Sequence, residues 1–167
     1  SIDSSYAPNS DGRVYGINND RSTLQADGAS LTVTAAGGTA TNSFLKTGGA
    51  GAAAAAYGIE TSGTHTTSIT GATKLTVRAT GGTATTKTGD ADNPGYAYAD
   101  ATAYGVSNDN TYDQASSGVT DSTLTLGSLA AEVTATAGNA QDVDHPGKNS
   151  GASASAYGIS NTTSTTV

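Results

Sequence analysis

Ala53-Ala54-Ala55-Ala56-Tyr57-Gly58-Ile59 ends in a tripeptide motif that the chain repeats. Tyr-Gly followed by Ile or Val occurs four times, at intervals of 42, 47 and 53 residues, starting at Tyr15, Tyr57, Tyr104 and Tyr157. Alternating alanines precede three of the copies, at Ala53 and Ala55, Ala101 and Ala103, and Ala154 and Ala156. Such self-similarity is the signature of a repeat architecture, so the sequence predicts a chain built from repeated units.

A second block follows each of the first three copies. It reads Leu31-Thr32-Val33-Thr34-Ala35, then Leu75-Thr76-Val77-Arg78-Ala79, then Ala131-Glu132-Val133-Thr134-Ala135. Apolar and polar residues alternate in it, which predicts a half-buried strand. A shorter strand is predicted between the two blocks, at Thr23-Leu24, Ser68-Ile69 and Thr123-Leu124-Thr125-Leu126.

The alanine-rich stretches admit a second interpretation, because alanine is the best helix former. The equivalent positions in the later copies carry Asp100, Thr102, Ser153 and Ser155, which do not favour a helix. We therefore predict strands over residues 50–57, 95–104 and 151–157.

The repeats differ in length, as expected if loops of unequal length emerge from a stacked unit. We predict an all-β fold, a β-solenoid (β-helix-like) of about three repeats of 42–53 residues, with like residues stacked on one another. Residues 1–167 would form a single repeat-built β domain, with approximate repeats 15–56, 57–103 and 104–156 and partial repeats at both ends. A two-sheet β-sandwich is the structural alternative, and the number of coils per repeat stays open.

Composition excludes several classes of function. Charged residues make up 13% of the chain, against about 25% in typical soluble domains, and the net charge is −7. Nucleic acid is therefore not an expected partner, because phosphate binding needs clustered Lys and Arg. The chain contains no run of about 18 apolar residues, so we do not expect it to insert into a membrane. No Cys and no Gly-x-Ser-x-Gly motif is present, so we do not expect an enzyme.

The motifs Ala-x-Ala-x-Ala-Tyr-Gly-Ile, Leu-Thr-Val-Thr-Ala and Gly-Gly-Thr-Ala resemble the repetitive passenger regions of bacterial autotransporters and related β-solenoid surface proteins. The resemblance extends over residues 15–157. It implies an extracellular or cell-surface location and a structural or adhesive role, as a subunit or segment of a bacterial surface fibre or adhesin stalk.

The ends of a solenoid expose unpaired backbone groups that can template association with another chain. We therefore expect head-to-tail assembly of this chain with itself into a homopolymer. The alternative is a segment of a longer adhesin that binds host or surface glycans. Candidate assembly and contact residues are Phe44, Leu45, Tyr96 and Tyr98 in the variable loops, and Tyr15 and Tyr157 in the tyrosine column.

Two loops share the pattern Asp-x-Asp-x-Pro-Gly, starting at Asp90 and Asp142. Carboxylates on a turn are hard oxygen ligands of the kind that Ca²⁺ prefers. Asp90, Asp92, Asp142 and Asp144 are therefore candidate calcium ligands, and no other cofactor is expected. The alternative is that Asp, Pro and Gly are present as turn formers.

A third functional hypothesis is ice binding, because Thr-x-Thr pairs on a flat solenoid face could order water. Thr32 with Thr34 and Thr39 with Thr41 are examples. Arg78 and Glu132 interrupt the face, and we expect these two side chains to meet diagonally across neighbouring repeats.

Overall fold

A computed structural model of the chain describes residues 10–42, 49–63, 66–87, 89–90, 93–109, 123–144, 150–162 and 165–166. The fold is all-β, and the described residues contain no helix, so none that is long and apolar enough to cross a membrane. The strands are β1 (Gly12–Asp20), β2 (Thr23–Ala26), β3 (Ala29–Ala36), β4 (Thr39–Asn42), β5 (Gly49–Gly51), β6 (Ala54–Ser62), β7 (Thr66–Thr80), β8 (Thr83–Thr86), β9 (Gly89–Asp90), β10 (Asn93–Pro94), β11 (Tyr96–Tyr98), β12 (Ala101–Asp109), β13 (Thr123–Thr136), β14 (Asn139–Asp142), β15 (Ser150–Gly151), β16 (Ala154–Thr162) and β17 (Thr165–Thr166).

Most strands pair in parallel with the equivalent strand of the neighbouring sequence repeat. The tyrosine sheet contains β1, β6, β12 and β16, and the valine sheet contains β2, β3, β7, β13 and β17. Two further parallel sheets contain β4, β8 and β14, and β5, β11 and β15. Only β9 and β10, between β8 and β11, pair in antiparallel fashion among the described strands. The chain therefore visits the four parallel sheets in the same order on each pass.

The register stacks like residues on like residues. The four motif tyrosines lie in line across the tyrosine sheet, and Val33, Val77 and Val133 lie in line across the valine sheet. Both ladders were predicted from the sequence, and both are confirmed. Each interval of 42, 47 or 53 residues corresponds to one return of the chain to the tyrosine sheet.

The described residues form two buried cores. Successive side chains on a strand point to opposite faces, so alternate residues of the tyrosine and valine sheets meet in the first core, where Leu75 and Val77 pack with Ala56 and Ile59. The second core lies between the other two parallel sheets, and its buried members are all alanines: Ala40, Ala50, Ala52, Ala84, Ala97 and Ala99. Burying alanine removes little apolar area from water, so the second core contributes less hydrophobic stabilisation per residue.

Two details of the predicted alanine-rich strands are wrong. The buried alanines of β6 are Ala54 and Ala56, whereas Ala53 and Ala55 are partly exposed. Each predicted strand is also two strands, because the chain passes from β5, β11 or β15 into the tyrosine sheet through two residues outside either strand, as at residues 52–53. The phase is marked only by the later copies, in which Ala101 and Ala103 lie three and one residues before the motif tyrosine, as Ala54 and Ala56 do. No Gly or Pro lies at residues 52–53, so no turn signal marks the break between the two strands.

The glycine of each Tyr-Gly motif lies where neighbouring strands approach closely. A Cβ atom on Gly58 would lie 2.5 Å from the carbonyl oxygen of Gly105 and 2.9 Å from Cγ2 of Val77. Real Cβ atoms do not approach a backbone oxygen so closely, and the backbone cannot yield without disturbing the pairing of β6 with β12. Glycine is therefore required by the space available at this position.

We predict that Gly58→Ala lowers the free energy of unfolding by about 1–3 kcal/mol, because it overpacks the interface between β6 and β12. Gly158→Ala is the matched control, since no atom lies within 4 Å of a Cβ at the equivalent position of β16. That control should change stability by no more than about 0.5 kcal/mol. Urea unfolding followed by circular dichroism measures both, and equal losses in the two variants would contradict the steric explanation.

Candidate functional site

The four motif tyrosines form a ladder on the outer face of the tyrosine sheet. Successive ring centroids are 5.0, 4.9 and 4.9 Å apart, and the rings are stacked with interplanar angles of 22°, 10° and 11°. The faces of Tyr57 and Tyr104 are covered by their neighbours, so these rings offer only their edges and hydroxyl groups to a ligand. Tyr157 at the end of the ladder is 44% exposed. Stacking of a sugar on a ring face is therefore restricted to the ladder's ends.

Charged side chains lie beside the tyrosine ladder, with Arg13 before a motif tyrosine in the chain and Glu60 after one. The guanidinium carbon of Arg13 lies 5.9 Å from the centroid of the Tyr57 ring. Burial raises the pKa of Tyr57, and Arg13 opposes that rise. The pKa of Glu60 is raised by burial and by the nearby carboxylates of Asp109 and Asp20, while Arg13 lowers it. Glu60 is therefore more easily protonated in the folded chain than in the unfolded one.

A groove of about 280 Å³ opens beside the ladder. Arg13, Ala55 and Thr102 stack in line on β1, β6 and β12, so the short Ala55 leaves a gap between two longer side chains. Asp11 and Asp100 line the same groove.

Each groove carboxylate accepts hydrogen bonds from a residue on the next pass of the chain. Asp11 Oδ1 accepts the backbone N–H of Ala53 at 3.0 Å. Asp100 Oδ1 accepts the backbone N–H of Ser153 at 2.9 Å and its hydroxyl at 2.7 Å. Sequence reasoning noted Asp100 but missed Asp11 and Arg13. The available signal was that Asp11 and Asp100 each lie four residues before a motif tyrosine.

A polar ladder that was not predicted lies at the other end of the tyrosine sheet. Asn19, Thr61 and Asn108 are buried and lie in register. The Thr61 hydroxyl donates to Asn108 Oδ1 at 2.7 Å, and Asn108 Nδ2 donates to Asn161 Oδ1 at 2.9 Å. Asn19 Nδ2 donates to the Thr67 hydroxyl at 2.6 Å. These hydrogen bonds offset the cost of burying polar side chains.

The last strand of the tyrosine sheet exposes residues whose equivalents are buried. Ile159 is 52% exposed, whereas Ile59 and Val106, at the same ladder position, are fully buried. Ala154 and Ala156 of β16 are also exposed. At the other edge of the sheet, Val14 of β1 is 40% exposed. Each edge therefore presents apolar side chains as well as the edge of a strand.

The predicted contact residues fall in different places. Tyr96 and Tyr98 lie in β11 and not in a loop, which corrects the prediction: Ala97 between them is buried, and Tyr96 pairs with Gly49 of β5. Phe44 and Leu45 lie outside the described residues.

The candidate calcium ligands do not share one ladder position. Asp142, at the end of β14, pairs in register with Thr86 of β8, whereas Asp90 lies in β9. Asp142 is buried, and its Oδ1 accepts the backbone N–H of Asp144 at 3.1 Å. Asp92 lies outside the described residues, which contain no group of three or more potential metal-binding side chains. Calcium binding stays a prediction.

Other residue types interrupt the predicted threonine face. Thr39 and Thr41 stack on Thr83 and Thr85, but the next strand carries Asn139 and Gln141 at those positions. On the valine sheet, Arg78 Nη2 lies 3.2 Å from Glu132 Oε1, which is the predicted diagonal pair. Both side chains are exposed, so the ion pair adds little stability.

Comparison of the chain with protein-family models, with curated proteins and with solved structures found no match. Function is therefore inferred from the ladders, the strand edges and the groove.

We predict that Glu60→Gln stabilises the fold more at about pH 7 than at about pH 4, because the raised pKa of Glu60 makes ionisation unfavourable in the folded state. The contribution of Glu60 to stability is fully present below its unfolded pKa and is lost as the pH rises through the folded value. Glutamine imitates the protonated form and removes this loss. Thermal unfolding of both proteins at the two pH values measures the difference.

Glu132→Gln is the control, because it removes only an exposed ion pair and should cost no more than about 1 kcal/mol at neutral pH. A Glu60→Gln variant that is less stable than the parent at neutral pH would show that the attraction to Arg13 outweighs burial.

Proposed function

We propose that the chain is an extracellular structural protein, a β-solenoid subunit or segment of a bacterial surface fibre or adhesin stalk that assembles end to end with further copies of itself. The observation that carries this proposal is the exposed apolar edge of the tyrosine sheet at β16, where Ile159 is 52% exposed.

The parallel, in-register pairing supports the solenoid. A sandwich made of consecutive hairpin-connected strands would consist mainly of antiparallel pairs. Here the four larger sheets are parallel, and neighbouring strands come from sequence repeats 42–53 residues apart. One turn of the solenoid per sequence repeat accounts for this order.

The edges of the tyrosine sheet support self-assembly. An edge strand with apolar neighbours is a template for pairing with another chain. If β1 of a second copy paired with β16 in the register used inside the chain, Tyr15 would stack on Tyr157 and Ile17 on Ile159. A joint between two different ends does not close on itself, so it extends into an open fibre.

The location and mechanical role are supported by the repeats and the composition. The resemblance to passenger regions implies the cell surface, and a surface rich in Ser and Thr with 13% charged residues is compatible with it. In a solenoid the backbone hydrogen bonds between strands run along the long axis. A tensile force along that axis would therefore be shared by many hydrogen bonds at once.

Electron microscopy and sedimentation velocity over a concentration series test the proposal. We expect unbranched fibres with a constant axial repeat at high concentration. Ile159→Lys should raise the concentration needed for assembly at least about tenfold, because it places a charge in the joint. The fold itself should persist, since Ile159 is already exposed.

Thr80→Lys is the matched control, because it adds the same charge at an exposed position of β7, which is flanked by β3 and β13 and is not an edge strand. It should leave assembly unchanged. Monomers at every concentration, or equal assembly of Ile159→Lys and the parent, would overturn the self-assembly proposal.

A further inference from the structure

The groove beside the tyrosine ladder opens on the outer face of the tyrosine sheet, and one of its walls lies at β1, an edge strand that the assembly proposal uses. Its walls are Asp11 and Arg13 on one side and Asp100 and Thr102 on the other, and its base is Ala53 and Ala55. Tyr57 and Tyr104, with Gly12 and Ala54, form the rest of the lining. A volume of about 280 Å³ can admit one small-molecule ring with its substituents.

The ladder register creates this groove. Ala53, just before β6, and Ala55 in β6 lie between the first and third passes of the chain, which carry Asp11 with Arg13 and Asp100 with Thr102 at the equivalent positions. The middle pass therefore has two methyl groups at positions where the passes on either side have longer polar side chains. The backbone pairing of β1, β6 and β12 holds the walls apart at a fixed separation.

The charges of the groove select against an anion, because two carboxylates and one guanidinium give its lining a formal net charge of −1. Asp11 and Asp100 would repel an anion, and Arg13 would repel a cation. Each carboxylate uses Oδ1 in its hydrogen bonds to neighbouring residues, as far as the described residues go. Their Oδ2 atoms can accept further hydrogen bonds, and the Arg13 guanidinium and the Thr102 hydroxyl can donate them. The polar walls therefore suit a neutral ligand with several hydroxyl groups.

The base and the ladder define the shape of that ligand. The methyl groups of Ala53 and Ala55 offer a small apolar surface, and stacking within the ladder leaves only the edges of Tyr57 and Tyr104 available. A flat aromatic ligand would find no free ring face there. A pyranose ring has hydroxyl groups around its edge and one face of C–H groups, which fits polar walls above an apolar base. We propose that this groove binds a single neutral hexopyranose residue.

Amide chemical-shift mapping by NMR, with the methyl glycosides of glucose, galactose and mannose, tests the proposal on the monomeric chain at low protein concentration. An open groove of this size should give a dissociation constant of the order of millimolar for at least one of the sugars. The shifted amides should cluster at Ala53, Ala55, Asp100 and Thr102. No saturable shift with any of the three sugars, or shifts centred elsewhere, would overturn the proposal.

Ala55→Gln fills the groove without adding charge, and the ladder already tolerates long side chains at this position, as in Arg13. It should weaken sugar binding at least about tenfold. Thr34→Gln, at an exposed position of β3, is the control and should bind as the parent does. Equal affinity of Ala55→Gln and the parent would contradict the site.

A cationic probe, N-acetyl-lysine methylamide, decides the charge argument. Shifts at the same amides that saturate at lower concentrations than with any of the sugars would overturn the assignment to a neutral ligand, and weaker binding of this probe supports it. Ala55→Gln should leave fibre formation unchanged, so failure of the sugar site and failure of the assembly proposal can be told apart.

Discussion

In-register parallel pairing is the constraint on which the rest of the structure depends. Each strand of the tyrosine and valine sheets lies beside its equivalent from another pass. The residues one repeat before and after a position therefore largely determine which side chain fits there. Gly58 shows how strict this is, since its neighbour Gly105 leaves no room for a Cβ atom. The Tyr-Gly-Ile motif recurs because its tyrosines stack, its glycines allow close approach and its last residue fills the core.

The buried apolar side chains stabilise the fold, and the buried polar side chains determine how the strands are aligned. Leu, Ile and Val in the first core provide most of the hydrophobic stabilisation, because they bury more apolar area than the alanines of the second core. The buried polar ladder specifies position: Thr61 and Asn108 are hydrogen-bonded only when their strands are correctly aligned. A slip of β6 by one residue would turn Ile59 and Thr61 to the outside together, and it would remove the Thr61 hydroxyl from Asn108 Oδ1.

The sequence predicted the strands and ladders because two periods coincide, the alternation within each strand and the spacing between motifs. The alanine run at residues 52–56 has no polar residue to mark a face, so its phase is marked only by the later copies, which carry Asp, Thr and Ser at the positions equivalent to Ala53 and Ala55. The two aspartate loops show that a shared local pattern does not establish a shared ladder position. Asp90 and Asp142 have the same sequence pattern around them, but they do not lie at one ladder position. The groove was missed because it depends on the shortness of Ala55 relative to residues about 40 positions away on either side, Arg13 and Thr102.

Charge placement follows the same constraint. Like charges directly opposite one another on neighbouring strands destabilise a sheet, and within the described sheets no acidic residue pairs in register with another. In the tyrosine sheet Asp20 and Asp109 are separated by Ser62, and Glu60 lies between Asn18 and Ser107. The same rule holds at the proposed joint. With β1 of one copy beside β16 of another, Asp20 would meet Thr162, Arg13 would meet Ser155 and Asn18 would meet Ser160. A chain with a net charge of −7 could therefore continue its tyrosine sheet from copy to copy without placing two carboxylates side by side.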